Sequence, residues 1–114
     1  MTDVNTLEIE EKNGYLWICL PGTLNRDNIL QIQRRIEALI TEEQLKVVLD
    51  LSNIKMAGSI VINLIMDIRK IIKGLKGTLH IVNLTRDCFN LFKSINLDKV
   101  LHICKSEDEI DSGN

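Results

Sequence analysis

The side chains in this sequence that could do chemistry stand at spacings that match no catalytic pattern. The two histidines, His80 and His102, each fall within a short apolar run that reads as a β-strand. The cysteines, Cys19, Cys88 and Cys104, are odd in number, far apart, and set among apolar neighbours. That is the pattern of small core residues rather than of a disulfide framework. There is no nucleophile elbow, phosphate loop, dinucleotide fingerprint or metal-ligand spacing. No catalytic residue, metal or cofactor is therefore expected. Asp50 ends an apolar run at the edge where α/β proteins often bind ligands, but a lone carboxylate makes no site. Ser59 lies where a loop turns into a helix. A serine there reads as an N-cap whose oxygen accepts a backbone N–H left over at the helix start.

The elements that position these residues follow from periodicity. Leu7-Glu8-Ile9-Glu10 alternates with a period of two, Tyr15 to Leu20 is continuously apolar, and Lys12-Asn13-Gly14 between them predicts a hairpin. Pro21-Gly22 stops the second strand. Asn25 or Asp27 is the predicted cap of a helix carrying Ile29, Ile32, Ile36, Leu39 and Ile40 at helical spacing. Val47 to Leu51 reads as a central strand covered on both faces. Residues 59–73 carry Val61, Leu64, Ile65, Ile68, Ile71 and Ile72 on one stripe, with Gly74 and Gly77 expected to supply the exit. A strand over Thr78 to Leu84 comes next. A helix capped by Thr85 should then bury Cys88, Leu91, Phe92 and Ile95, and Val100 to Cys104 closes the series as a last strand. Alternation of this kind predicts an α/β fold, a mixed sheet of four or five strands, some pairs parallel, with three or four helices.

Composition sets further limits. The 114 residues suit a single domain with a core over about 7–105 and an acidic tail over 106–114. Net charge is −2, and the 14 basic residues form no block longer than Arg34-Arg35, so the basic footprint of a nucleic-acid binder is missing. Met1 to Gly14 is polar and acidic, unlike a signal peptide. No apolar run approaches the roughly 20 residues of a membrane span. These features predict a cytoplasmic protein without direct membrane insertion.

From Leu7 to about Glu109 the chain resembles the STAS family of bacterial anti-sigma factor antagonists. The resemblance rests on Val47-Val48-Leu49-Asp50-Leu51-Ser52, similar to the family's central strand, followed at family spacing by Met56-Ala57-Gly58-Ser59. Gly77-Thr78-Leu79 to Asn83-Leu84-Thr85 and Leu91 to Leu97 resemble the family's next strand and turn and its later helix. Pro21-Gly22-Thr23-Leu24-Asn25 resembles the segment after the second strand. The resemblance implies a STAS-like domain whose helices pack mainly on one side of the sheet, and it implies that Ser59 is the phosphoacceptor of a partner anti-sigma kinase. The usual Asp before it is replaced by Gly58, and two usual glycines by Val61 and Asn63.

A phosphate adds about −1.5 to −2 charges, which a helix start tolerates and a docked partner does not. Ser59 is thus read as a switch of binding, with the domain fold unchanged. On a helical wheel Ile62 and Met66 fall toward the outward face beside Asn63 and Lys70, where they are expected to form an exposed docking patch. Gly58 is expected to permit a backbone turn that other residues disfavour. Asn25 completes the candidate partner surface of Asn25, Gly58, Ser59, Ile62, Asn63, Met66 and Lys70. The leading expectation is a regulatory module, a monomer or weak dimer, that binds an anti-sigma factor or related serine kinase. Two alternatives differ in class. One is a constitutive STAS subunit of a lipid-transport ABC complex or of a stress-signalling scaffold. The other is an enzyme or small-ligand carrier, for which no convergent polar site is visible.

Overall fold

The first two strands, β1 (Glu8–Lys12) and β2 (Tyr15–Cys19), pair antiparallel through a two-residue turn at Asn13 and Gly14. Both turn residues have positive φ, 54° and 85°, the backbone that matches the twist of a tight hairpin. Residues 7–55 and 58–104 are described in this computed structural model, and the predicted acidic tail lies outside them.

After β2 the chain alternates helix and strand: α1 (Ile29–Leu39), β3 (Lys46–Asp50), α2 (Ser59–Gly74), β4 (Thr78–Val82), α3 (Arg86–Ser94) and β5 (His102–Cys104). A single 3₁₀ turn, Leu97–Lys99, precedes β5. The sheet order is β1-β2-β3-β4-β5, and every pair after the hairpin is parallel. Each crossover therefore steps to the next strand in the same direction. Crossovers of one hand then place the three described helices on one face.

Burial agrees. Leu16, Ile18, Val47, Leu49, Leu79 and Ile81 from the strands join Ile32, Ile36, Leu64, Ile68, Cys88 and Phe92 from the helices in one core. The alternate strand residues Tyr15, Trp17, Val48, Val82 and Cys104 form a second cluster on the opposite face, to which no described helix contributes. Val47, Val48 and Leu49 are fully buried, as a central strand requires.

Three local expectations are corrected. The exit of α2 does not use a left-handed glycine. Lys76 takes that conformation, with φ 64°. Its N–H donates to the Lys73 carbonyl, and the Gly77 N–H reaches back to that of Ile72, the paired bonds of a Schellman motif. Gly77 is needed for space instead, since a Cβ there would collide with the Leu45 carbonyl. Ile95, expected on the buried face of α3, follows the helix end and is exposed. Cys19 is half-buried at the end of β2, whereas Cys88 and Cys104 are buried.

Candidate functional site

Parallel strands bring their following loops to one edge of the sheet. Here the loops after β2, β3 and β4 meet and set the position of the α2 start. Asp50 is the centre of this arrangement. Its Oδ1 accepts the Ser52 N–H at 2.9 Å. Its Oδ2 accepts the Asn83 amide at 3.0 Å and the Trp17 indole N–H at 3.4 Å. Both carboxylate oxygens are thus engaged in holding loops together.

The loop after β3 is pinned at two more points. The Asn53 amide donates to the Leu20 carbonyl at 3.4 Å, and a Cβ on Gly22 would stand 2.9 Å from the Asn53 carbonyl oxygen. On the other side the Thr85 hydroxyl lies 3.3 Å from the carbonyls of Ile54 and Lys55. The same hydroxyl accepts the Cys88 N–H at 3.3 Å. It therefore caps α3, as its position in the sequence predicts. The Cys88 thiol also donates to the Ile54 carbonyl.

The predicted cap of α1 at Asn25 or Asp27 is corrected: the N-cap is Asn28, without a side-chain capping bond, and Asn25 instead holds the turn that leads into the helix. Its side-chain oxygen accepts the N–H groups of Asp27 and Asn28, and its carbonyl accepts that of Ile29. Regular helix begins only at Ile29. Asn28, buried and unremarked in the sequence, returns the interaction by accepting the Asn25 N–H and donating to the Thr23 carbonyl.

At α2 the cap is Gly58, and Ser59 is the first helical residue. The N-cap reading of Ser59 is therefore corrected: the chain becomes helical one residue earlier than a serine cap requires. Gly58 has φ −101° and ψ −172°, extended backbone open to any residue, and among the described residues nothing stands within 4 Å of a Cβ placed on it. The expectation that Gly58 serves an unusual turn is corrected too. Ser59 is exposed, and no acidic residue occupies the first turn of α2.

Ser59, Ile62, Asn63, Met66 and Lys70 follow one another along a single side of α2. Asn63 and Lys70 are exposed, but Ile62 and Met66 are half-buried and pack against the main core. The expected exposed patch is therefore narrower. Helix side chains lean back toward the N terminus over the preceding turn, so a long methionine lies along the surface instead of standing off it. No described contact joins Asn25 to this row.

Next to this edge, with Asp50 as a shared wall, a cleft of about 460 Å³ opens on the second face beside Glu8, Glu10, Lys12, Trp17 and Cys19. Lys12 Nζ lies over the Trp17 ring at 4.6 Å. Burial pushes the Cys19 thiol pKa up, and the nearby Asp50 and Glu8 carboxylates push the same way against a hydrogen bond with Ser52. This thiol is held protonated and is a poor nucleophile. The fold also brings together His80, His102 and Cys104. Sequence spacing gives no sign of this trio, because one member comes from another strand.

The family profile of the STAS domain matches residues 6–110. The chain belongs to the STAS domain family. A comparison with curated protein sequences gives no match. Among solved structures this STAS domain is similar to a Thermotoga maritima protein described as an anti-sigma factor antagonist. They share 18% identity over 94% of this chain and 92% of that one, with a TM-score of 0.83. It is similar also to the Bacillus cell fate determinant SpoIIAA in its phosphorylated form, at 16% identity, 96% and 100% coverage and a TM-score of 0.71. A chain from the stressosome, described as a signal integration and transduction hub, matches at 16% identity, 92% and 94% coverage and a TM-score of 0.76. At these identities the likeness is one of fold. Among the described residues, no helix of this STAS domain is long and apolar enough to cross a membrane.

Proposed function

We propose that this STAS domain is a cytoplasmic, non-catalytic regulator. It binds an anti-sigma factor or a related serine kinase and is switched by phosphorylation of Ser59. The observation that carries the reading is the place of Ser59: exposed, first in α2, and free of the capping role that would otherwise account for a serine there. The first N–H groups of a helix have no carbonyl within it to bond. A phosphate at Ser59 would meet those groups and the positive end of the helix dipole. The fold would therefore accept the modification, while a partner seated over Ser59, Asn63 and Lys70 would face an added dianion. Ile62 and Met66 supply a partly exposed apolar margin to that surface.

A constitutive subunit of a lipid-transport complex or stress-signalling scaffold is the second reading. Gly58 favours it, since the backbone there would accept the family's usual Asp and the carboxylate is nevertheless missing.

Affinity capture from native cells tests the proposal. Wild-type protein should retain an ATP-binding kinase partner that Ser59→Asp loses, with both proteins equally folded by circular dichroism. Equal retention of that partner by Ser59→Asp would refute the switch.

A further inference from the structure

Across the sheet from the helices, β4 and β5 place three metal-ligating side chains together. His80 pairs directly with His102 in the parallel register, and Val82 pairs with Cys104. His102 and Cys104 are two residues apart on one strand, so both project from the same face, which is also the face of His80. Their ligand atoms all lie within 4.8 Å of one another. The two imidazole rings have centroids 4.3 Å apart, inclined by 41°. The Tyr15 ring meets His80 edge-on at 5.6 Å.

His80 adds a second, independent observation. It is only 7% exposed, and among the described residues its Nδ1 has no hydrogen-bond partner. A buried imidazole nitrogen without a partner is destabilising, and coordination to a metal is one way to satisfy it.

We propose that His80, His102 and Cys104 form a zinc site that ties the short edge strand β5 to β4. Two imidazoles and one thiolate are a borderline-soft donor set. It suits Zn²⁺ and is poorly matched to Mg²⁺ or Ca²⁺, which take oxygen ligands. With Zn–N of about 2.0–2.1 Å and Zn–S of about 2.3 Å, tetrahedral ligand atoms stand roughly 3.3–3.8 Å apart. Metal binding would require the present separations, up to 4.8 Å, to close to these distances. Cys104 gives up its thiol proton to solvent when the Cys104–metal bond forms. His102, the exposed member, leaves a path for the ion and for a water as fourth ligand.

Titration of the full-length protein with Co²⁺ tests this site, because cobalt reports a thiolate ligand through a charge-transfer band. One equivalent should give that band together with four-coordinate visible absorption, and Zn²⁺ should displace both. His102→Ala removes an exposed ligand without touching the core and should weaken binding at least about tenfold. Cys104→Ala should abolish the charge-transfer band. If wild type shows no saturable band, or if His102→Ala binds as tightly as wild type, the proposed site is wrong.

Discussion

The side-chain amide of Asn83 donates to Asp50 Oδ2 at 3.0 Å, joining the ends of two neighbouring strands, β4 and β3, at the edge where α2 begins. Asp50 serves the loop architecture here, although its position at a strand end is also where a ligand-binding carboxylate would stand.

Asp50→Ala should therefore destabilise the domain. The substitution strands three donors, on Ser52, Asn83 and Trp17. Bonds to a charged acceptor contribute about 1.5–3 kcal/mol, and the effects of one network do not simply add. A loss of roughly 2–3 kcal/mol is expected on that basis. Urea unfolding would read it as a lower midpoint at unchanged slope. A shift below about 0.5 kcal/mol, the range of ordinary surface changes, would show that the network is not structural.

The α2 exit gives a prediction of opposite sign. Lys76 holds a left-handed conformation that glycine adopts without strain. Lys76→Gly should stabilise the fold by about 0.5–1 kcal/mol, while Gly77→Ala, which drives a methyl into the Leu45 carbonyl, should destabilise it by about 1–3 kcal/mol. Thermal melts of the two variants should move in opposite directions. Melts that moved together would count against this account of the exit.

Cys19 should be slow to react. Its folded-state pKa is raised, by burial first and by Asp50 and Glu8 next, so the thiolate is scarce at neutral pH. In the unfolded chain the thiol ionises at its ordinary value. Stability is therefore fully present below that value and declines as pH rises from it through the higher folded value. Cys19→Ser should remove this alkaline decline. Rapid labelling of Cys19 by a disulfide reagent at neutral pH would contradict the raised pKa.

Ser59→Ala should leave stability within about 0.5 kcal/mol of wild type, because a Ser at the cap itself would typically lose ~1 kcal/mol and the cap is Gly58. Met66→Glu places a charge on a half-buried residue and should lower stability by about 1 kcal/mol while weakening partner capture. Unfolding curves on both variants separate these effects. A drop of 1 kcal/mol or more in Ser59→Ala would restore a capping role.

The sequence makes much of the fold legible because its periodicities are clean. The α2 stripe from Val61 to Ile72, the Asn13-Gly14 turn and the Thr85 cap all stand where periodicity and turn chemistry place them. Positions that depend on a single residue of offset were harder to read. Whether Ser59 or Gly58 caps α2 turns on where the backbone becomes helical, and both residue types favour that boundary. The left-handed Lys76 could not be seen because two glycines flank it and composition points to them. Met66 and Ile62 looked more exposed on an ideal wheel than they are, since a wheel ignores the backward lean of side chains. The His80–His102–Cys104 trio depends on the pairing of β4 with β5, and strand register across a crossover leaves no mark in local spacing.

The central claim is that Ser59 is a phosphorylation switch, and intact mass of the protein isolated from its native cells tests it most directly. The account predicts a fraction heavier by one phosphate, with the modification mapped to Ser59 and absent from Ser59→Ala. An unmodified chain under every growth condition, bound stoichiometrically to a transporter or scaffold, would contradict it and make this STAS domain a structural subunit.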